Sequence, residues 1–340
     1  MRLGLIARCD QSGLANQTHS YFQALQPEKV LLINVGHLAD DGKHCNKRSF
    51  PERFPGATVV NSWQPDRKTI QGFLDGLTTV LSAETFYHPQ FAQLARNAGV
   101  KTALACNPEF LNRQDHPDLW LAPTTWMWDT IPAPKRLLRV PITPGPPRQA
   151  EITPHFLHVV GRPAVHDRNG TLDLLQALQH ATQTFTVTVR CQEPGYVSGL
   201  IGEHRIHTPS NVVLRVESAP LDAYTDLYQE GDVLVMPRRF GGLCLPAQEA
   251  IAAGMPVLMP AISPNEWLPE SWLFPAVKAG EFQAKQAVTF YRTDPRVLAA
   301  KLDEYAQLTP SSWSGDVQRL QHELSWQTLK PRYEEVLNAV

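Results

Sequence analysis

The sequence predicts an α/β protein with two doubly wound domains, each built on a mainly parallel sheet. Three observations predict this fold class. Short apolar runs alternate with helix-like segments through the first 140 residues, a proline-rich stretch follows, and the same alternation then starts again. Because parallel strands need a crossover connection that is usually helical, this alternation is typical of doubly wound layers.

Six apolar runs in the first half have the length and composition of buried strands. They are Leu3–Ala7, Val30–Ile33, Thr58–Val60, Thr78–Leu81, Thr102–Ala105 and Leu119–Leu121. The segments between them with helical periodicity are Leu14–Leu25, Arg67–Leu74, Gln90–Asn97 and Thr124–Asp129. We therefore expect residues 1–140 to form one Rossmann-like domain.

Proline marks the boundary between the two predicted domains. Residues 141–154 contain five prolines and few apolar residues, which disfavours both helix and sheet and gives a semi-rigid connector. We expect residues 155–310 to form the second Rossmann-like domain. Residues 311–340 should form a helical segment, interrupted near Pro331, that packs at the terminus. Two such domains predict a central cleft, since ligands gather at the carboxyl ends of parallel strands.

Bulk composition narrows the class of protein. The 340 residues are 43% hydrophobic and carry a net charge of -2, so the chain can fill two cores and is not a general binder of polyanions. Five dispersed cysteines without a CxxC pair favour reduced thiols. The first apolar run is too short for a signal peptide, and no run reaches the ~18 residues of a membrane span. We expect a soluble cytoplasmic protein without a membrane partner.

Residues 231–259 form the most informative segment of the chain. An apolar strand, a glycine-containing loop, a helix from Leu245 and a second apolar strand follow one another there. This order delivers backbone N–H groups to a helix N-terminus, where anions bind readily. Glu249 lies one turn into that helix. A carboxylate beside a phosphate site is what a protein needs to hold a sugar nucleotide.

In each predicted domain, a further loop of interest follows the first predicted strand. Arg162 and Arg168 bracket a loop that runs into a helix, where two guanidiniums can neutralise a diphosphate leaving group; solvated surface arginines are the alternative interpretation. Gly13 lies in the turn after the first strand of the chain, where an ordinary βα turn and a ligand loop are both open. That turn is not GxGxxG, so the dinucleotide fingerprint is absent and a dehydrogenase is disfavoured.

Gly161-Arg162 and DRNGT at 167–171, followed by DVLVMP…GGLCLPAQEA…GMPV at 232–257, resemble the retaining GT-B glycosyltransferases of family four, including members encoded by bacteriophages. The resemblance implies the GT-B fold and transfer of a hexose or pentose from a nucleoside-diphosphate sugar with retained anomeric configuration. It implies a UDP-sugar as the expected donor and no permanently bound cofactor. No acidic pair of the DxD kind ends a strand, so the sequence requires no metal.

The resemblance assigns donor-site roles position by position. Arg162 matches the arginine that contacts the donor diphosphate. Gly242, Leu243 and Cys244 match the loop whose backbone amides lie near the phosphates and the sugar. Glu249 matches the second glutamate of a paired-glutamate motif, which binds the ribose hydroxyls of the nucleotide.

Two positions depart from the family pattern. Gly241 stands where the family has the first glutamate of the pair, a carboxylate that contacts the donor sugar. Asn169 stands where the family has a basic residue, and Arg168 is the expected substitute beside the leaving group. The identity of the sugar stays open on this basis. A catalytically inactive sugar-nucleotide-binding protein is the alternative function.

The catalytic base is expected in the first domain. Glu84 follows a predicted strand and is our first candidate, and His88 lies one turn further on. Asp10 and Glu109 are rival carboxylates. Each of these residues is also explained by a structural role or by orientation of the acceptor, and we expect Asp10 and His88 to contact the acceptor.

The acceptor is expected to lie on the more basic half of the chain. Residues 1–150 carry a net charge of +4 and include a loop with Lys47 and Arg48, while Trp126 flanks a predicted helix start. Basic and aromatic side chains together can hold a nucleic-acid strand and stack an extruded base; a charged solvated loop is the alternative interpretation. The phage-type resemblance makes a hydroxymethylated pyrimidine of DNA, in the host cytoplasm, the expected acceptor. A virion protein, a saccharide, or an epimerase reaction without any acceptor stay open.

Overall fold

The structure is a computed structural model that describes residues 1–10, 12–35, 49–145, 154–221 and 224–340. Its contacts divide the chain into two compact units. The first unit holds Met1–Pro141, Ala284–Gln286 and Leu324–Val340, and the second holds Ile142–Gln283 and Ala287–Glu323. None of the helices in the described ranges has both the length and the apolar character of a membrane span.

The first unit contains a parallel sheet. Its strands are β1 (Leu3–Arg8), β2 (Lys29–Ile33), β3 (Thr58–Val60), β4 (Thr79–Ala83), β5 (Lys101–Ala105), β6 (Leu119–Ala122) and β7 (Lys135–Leu137). The helices between them are α1 (Gly13–Leu25), α2 (Arg67–Leu74) and α3 (Phe91–Asn97). The strand order is β3-β2-β1-β4-β5-β6-β7, with every neighbouring pair parallel. The predicted doubly wound layer is therefore confirmed in this unit.

Apolar burial and helix caps explain these elements. The β1 residues Leu3–Ala7 are all buried, as expected for a strand that is covered on both faces. Ser12 caps α1, since its Oγ accepts the Ala15 N–H at 3.2 Å. Asp66 caps α2 by accepting the Thr69 N–H at 2.7 Å. Such caps satisfy donors that a helix N-terminus otherwise leaves open.

Two segments of the first unit differ from the sequence prediction. The helix expected over 124–129 is wrong, because these residues form turns and a short 3₁₀ helix spans Trp128–Thr130. Met127 there has a φ of 52°, a left-handed conformation that interrupts a regular helix. The edge strand β7 was not expected, since its three residues are partly or fully exposed and have no apolar pattern.

The second unit contains a parallel sheet and a separate hairpin. Its strands are β8 (His155–Gly161), β9 (Phe185–Cys191), β10 (Val212–Glu217), β11 (Val233–Val235), β12 (Val257–Pro260), β13 (Leu273–Phe274), β14 (Val277–Gln283) and β15 (Ala287–Arg292). The helices in this part of the chain are α4 (Thr171–Leu178), α5 (Tyr196–Glu203), α6 (Leu245–Ala252), α7 (Pro295–Ala306), α8 (Ser314–Leu324) and α9 (Trp326–Asn338). The sheet order is β10-β9-β8-β11-β12-β13, and β14 pairs antiparallel with β15. A second Rossmann-like domain is thus confirmed.

Each sheet has one point at which the strand order reverses, between β1 and β4 in the first unit and between β8 and β11 in the second. Strands that meet at such a reversal send their helices to opposite faces, which leaves a crevice at their carboxyl ends. Leu3 pairs with Thr79, and Val233 pairs with Phe156. The loops after β1 and β4 are therefore neighbours, as are the loops after β8 and β11. Most of the predicted site residues lie in these four loops.

The C-terminal helices divide between the units. Most of α8 lies in the second unit and α9 lies in the first, whereas the sequence suggested one helical segment over 311–340. The break falls at Ser325, which caps α9, and Pro331 lies inside that helix. Tyr333 is buried in the first unit, where its hydroxyl donates to the carbonyl oxygen of Arg139 at 3.0 Å.

Candidate functional site

In the second unit, the loop after β8 packs against the loop after β11. The N–H of Arg239 donates to the carbonyl oxygen of Arg168 at 2.8 Å. Gly170 has a φ of 69°, and a Cβ at this residue would overlap the carbonyl oxygen of Pro237. Glycine is therefore needed for the close approach of the two loops.

Asn169 and Asp167 have structural roles in the loop after β8. Asn169 donates from Nδ2 to the carbonyl oxygen of Val160 at 2.8 Å, so it ties the loop to β8 and does not supply the cation expected at this place in the sequence. The Asp167 carboxylate accepts the N–H groups of Thr171 at 3.0 Å and Leu172 at 2.9 Å. These first amides of α4 are occupied by the cap. The N-terminus of α4 is therefore capped by a side chain of the protein.

The loop before α6 presents backbone donors. Within the described part of the chain, the N–H groups of Gly242, Leu243 and Cys244 donate to no acceptor. Cys244, the residue before α6, makes no side-chain cap, and Pro246 lies in the first turn. Amides that end at a helix N-terminus without a protein partner are suited to an anion. The three residues selected from the sequence thus lie in a backbone arrangement that can hold a phosphate.

Glu249 lies one turn into α6 and is half-buried. The hydroxyl of Tyr228 donates to Glu249 Oε2 at 2.5 Å. Burial raises the pKa of the Glu249 carboxyl, while the hydrogen bond from Tyr228 acts in the opposite direction. One oxygen of the carboxyl is therefore held by Tyr228. The carboxyl lies at the same end of the sheet as the N–H groups of Gly242, Leu243 and Cys244, which we call the open amides.

Arg168 and Arg238 meet at Gly241. This glycine has a φ of 115°, and an ideal Cβ on it would lie 2.5 Å from Nη2 of each arginine. The guanidinium of Arg168 also lies over the Phe240 ring, 5.3 Å from its centre, in a cation–π contact. Two guanidiniums thus occupy the place where the family pattern has a glutamate side chain. Arg162, the first residue after β8, is half-buried.

Sequence reasoning missed Arg238 and Arg239, which directly follow β11 and its proline. Both are buried. Arg239 donates to the Asp173 carboxylate from Nη2 at 2.7 Å and from Nε at 3.2 Å, which is a buried structural ion pair. Arg238 instead donates to the carbonyl oxygen of Leu243 at 3.0 Å. The signal in the sequence was an Arg-Arg pair at the end of a buried strand, where ligand groups gather.

The first unit has a pocket of about 420 Å³ at the carboxyl ends of β1 and β4. Its lining residues are Arg8, Trp63, Gln64, Glu84, Thr85, Tyr87, His88, Pro89, Asn112 and Asp115. The Arg8 guanidinium lies 5.1 Å from the centre of the Trp63 ring, and Trp63 is 51% exposed. The pocket brings Glu84 and His88 together. It adds Arg8, Trp63 and Asp115, which sequence reasoning missed because their proximity depends on the strand order.

Glu84 has an unusual backbone conformation at the end of β4. Its φ of 67° lies in the left-handed region, which costs a residue with a side chain about 1 kcal/mol. Its N–H donates to the carbonyl oxygen of Ala105 at 2.7 Å, which fixes this geometry. Burial raises the pKa of the Glu84 carboxyl, and the Arg8 charge acts in the opposite direction. A partly desolvated carboxyl with a raised pKa is suited to proton transfer.

Three other predicted residues of the first unit have structural surroundings. Asp10 accepts from Arg8 Nη2 at 2.5 Å and from Ser12 Oγ at 2.9 Å, so it orients Arg8 and does not itself line the pocket. Gly13 is the first residue of α1. Glu109, the rival carboxylate, is only 2% exposed.

The structure describes only some of the residues expected to contact a nucleic acid. Trp126 is 7% exposed, which corrects the expectation that its ring stacks on a base; burial depends on packing that the sequence does not show. Lys47 and Arg48 lie outside the described residues. His88 lines the pocket and accepts the Gln90 N–H on Nδ1 at 3.1 Å. A neutral His88 ring therefore presents its N–H from Nε2.

Metal-ligand side chains do not cluster in the described ranges, where no group of three or more His, Cys, Asp and Glu residues has the geometry of a metal site. Cys9, Cys106, Cys191 and Cys244 are free and buried.

Comparison with known proteins adds the fold family. No protein-family model and no curated protein matches the sequence. Among solved structures, Anabaena Alr3699/HepE in complex with UDP is 12% identical and superposes with a TM-score of 0.69 over 100% of both chains. The lipopolysaccharide outer core galactosyltransferase WaaB is 14% identical, with a TM-score of 0.64 over 99% of this chain and 100% of that one. Sucrose-phosphate synthase from Thermosynechococcus elongatus is 14% identical, with a TM-score of 0.64 over 99% of both chains. The chain therefore has the GT-B fold of two Rossmann-like domains.

Proposed function

We propose that this chain is a glycosyltransferase whose second unit binds a nucleoside-diphosphate sugar. The observation that carries the proposal is the row of open amides at Gly242, Leu243 and Cys244, with Glu249 one turn further along α6. Such amides suit phosphate oxygens, and a carboxylate at this spacing suits the hydroxyls of the ribose. Alr3699/HepE, which has a similar fold, is solved with UDP; this supports a UDP-sugar as the donor.

The proposed mechanism depends on stabilising the leaving group. When the bond between the sugar and the diphosphate breaks, negative charge develops on the departing oxygen. Arg162 and Arg168 lie in the loop after β8, next to the loop that carries the open amides, and both sets of donors can stabilise this charge. The configuration at the anomeric carbon is proposed to be retained, as the sequence resemblance implies.

The first unit is proposed as the acceptor side. Residues 1–140 would bind the acceptor, 141–154 would connect the domains, 155–310 would bind the donor, and 311–340 would close the chain as a helical segment. Support comes from the pocket of about 420 Å³ that contains Glu84 and His88. Glu84, with its raised pKa, is proposed as the base that takes the proton of the attacking hydroxyl.

The proposed acceptor is a hydroxymethylated pyrimidine of DNA. The pocket is large enough for a single ring, and the exposed face of Trp63 offers a stacking surface. Glu84 would then face the hydroxymethyl group. The reaction is proposed to take place in the host cytoplasm, as the phage-type resemblance implies, and the free, buried cysteines among the described residues suit that compartment.

A saccharide is the second candidate acceptor. Glu84 and Asp115 both line the pocket, and carboxylates accept hydroxyl protons but repel phosphate groups. This pair favours a neutral polyhydroxylated acceptor over one that brings backbone phosphates close to the pocket.

A transfer assay distinguishes these possibilities. Radiolabelled nucleotide sugars are incubated with hydroxymethylated DNA, unmodified DNA and a panel of saccharides, and the label on each acceptor is counted. We expect label on hydroxymethylated DNA only, with binding to DNA that weakens steeply as salt increases. Label on saccharides alone would move the assignment to the second candidate. If no donor is transferred or hydrolysed, the chain is an inactive binding protein. Glu249→Ala provides the donor-site control.

A further inference from the structure

Arg238 is a buried cation without a carboxylate partner in the described part of the chain. It is 7% exposed, and its neighbour Arg239 is 8% exposed. Arg239 is compensated by Asp173, which lies 2.7 Å from its Nη2. Arg238 has a single neutral acceptor, the carbonyl oxygen of Leu243 at 3.0 Å, and its buried Nε has no hydrogen-bond partner among the described residues.

An uncompensated buried charge is unfavourable in the empty protein. Removing a guanidinium from water costs free energy that only a counter-charge or full hydrogen bonding returns. The second like charge at this place, Arg168, adds repulsion, because both Nη2 atoms lie 2.5 Å from the same point at Gly241. Arg238 is therefore positioned for an anion that the described residues do not supply.

Gly241 places no side chain between the two guanidiniums. A side chain at residue 241 would meet both guanidiniums, and the φ of 115° would strain it in addition. The amides of Gly242 and Leu243 follow directly and are open as well. The two guanidiniums and these N–H groups are all hydrogen-bond donors, whereas a neutral sugar is commonly held by acceptors that take its hydroxyl protons.

The charge count extends the proposed function, on which this inference rests. A sugar nucleotide carries two negative charges on its diphosphate, which Arg162, Arg168 and the open amides are proposed to meet. Arg238 is a further cation at the same place. We infer that the transferred sugar itself carries a carboxylate, so that the donor is a nucleotide-linked uronic acid. The planar guanidinium binds a carboxylate through two parallel hydrogen bonds.

Isothermal titration calorimetry with UDP, UDP-glucose and UDP-glucuronic acid tests the inference. The unchanged protein should bind UDP-glucuronic acid about tenfold or more tightly than UDP-glucose. Arg238→Gln should abolish this preference and leave the affinity for UDP within about threefold. Arg238→Lys keeps the charge but cannot donate two parallel hydrogen bonds to a carboxylate, so it should keep part of the preference. Arg215→Gln, on an exposed position of β10, is the matched control for charge removal and should change nothing.

Two outcomes overturn the inference and leave the proposed function intact. One is equal affinity of the unchanged protein for the two sugar nucleotides. The other is a loss of UDP affinity in Arg238→Gln as large as the loss for UDP-glucuronic acid, because Arg238 would then serve the diphosphate. Failure of all three uridine nucleotides to bind contradicts the proposed function, and the inference with it.

Discussion

The hydroxyl of Tyr228 donates a 2.5 Å hydrogen bond to Oε2 of Glu249, the carboxylate one turn into α6. Tyr228 is 1% exposed and belongs to the 3₁₀ segment Tyr224–Gln229. Burial raises the pKa of the Glu249 carboxyl, and this hydrogen bond opposes the rise. Tyr228 therefore helps to keep ionised the group that we propose to bind the ribose.

Loss of that hydrogen bond should shift the pH dependence of nucleotide binding. An ionised Glu249 accepts ribose hydroxyl protons, so UDP affinity should fall as pH falls, starting above the ordinary carboxyl pKa of 4.5 because the pKa is raised. In Tyr228→Phe the pKa should rise further, and the fall should begin at a still higher pH. Calorimetric titration of UDP across the acid range measures both profiles.

Glu249→Gln is the control for this prediction. Its side chain cannot ionise, so this variant should bind UDP about tenfold or more weakly, with a smaller dependence on pH in the same range. Superimposable profiles for the unchanged protein and Tyr228→Phe would show that the hydrogen bond does not govern the titration.

Replacement of Glu84 by glycine should separate stability from transfer. Glu84 has a φ of 67°, so glycine relieves strain of about 1 kcal/mol while it adds freedom to the unfolded chain. We expect the free energy of unfolding to be unchanged or raised by up to about 1 kcal/mol, and transfer to fall by about 10²-fold or more. Chemical denaturation and the transfer assay measure the two effects.

Gln26→Gly is the matched control for Glu84→Gly. Gln26 has a φ of 48° at the end of α1 and is exposed, so it shares the backbone conformation but not the pocket. Its replacement should leave transfer unchanged. If Glu84→Gly also retained transfer, Glu84 would not be the base.

Stability should depend on pH through His158. This ring is fully buried, its Nδ1 lies 2.8 Å from the carbonyl oxygen of Val235, and its Nε2 lies 3.0 Å from the Thr171 hydroxyl. A carbonyl can only accept, so Nδ1 donates to it and Nε2 accepts from the hydroxyl in the neutral ring. Burial lowers the pKa of His158 from 6.5 to about 4.

The unfolded chain therefore takes up a proton at His158 between pH 6.5 and about 4, where the folded chain does not. The resulting stability is present above pH 6.5 and is lost as pH falls through this range, by up to roughly 3 kcal/mol. Urea unfolding followed by circular dichroism at a series of pH values measures the slope. His158→Gln should be less stable near neutral pH and should have a smaller slope; an unchanged slope would contradict the assignment.

The sequence predicted the parts of the fold that depend on local pattern. Buried strands such as β1 and β4 consist of apolar runs. Such a run can be recognised as a strand from the local sequence, without knowing which strands lie beside it. The edge strand β7, Lys-Arg-Leu, has no such run, and the helix over 124–129 was wrong because turn conformations overrode its propensity. The helix α9 belongs to the first unit. This placement depends on long-range packing, which cannot be predicted from a local sequence pattern.

The sequence predicted only part of the candidate site, because the rest of the site also depends on long-range packing. Glu84 could be selected because it directly follows a strand, and strand ends collect ligand groups. Trp63 and Trp126 could not be ranked, since one is 51% and the other 7% exposed and exposure is set by the folded packing. The pairing of Arg168 with Arg238 required the adjacency of β8 and β11, which topology alone provides.

Replacing Arg238 and replacing its neighbour Arg239 by methionine should have different effects on the free energy of unfolding. Asp173 is 0% exposed, and Arg239 donates two hydrogen bonds to it. Arg239→Met leaves this buried carboxylate with Arg292 at 3.3 Å, which is itself half-exposed. Breaking a buried ion pair on one side costs about 3–5 kcal/mol, and Arg292 should hold the loss near the lower value.

Arg238→Met removes a buried charge that has no carboxylate partner among the described residues, so the ligand-free protein should lose almost nothing and can gain up to about 1 kcal/mol. The methionine fills much of the same volume, which limits any cavity. Chemical denaturation of both variants without nucleotide measures the contrast. A loss in Arg238→Met as large as in Arg239→Met would mean that Arg238 stabilises the fold, because a charge positioned for a ligand contributes stability only when the ligand is bound.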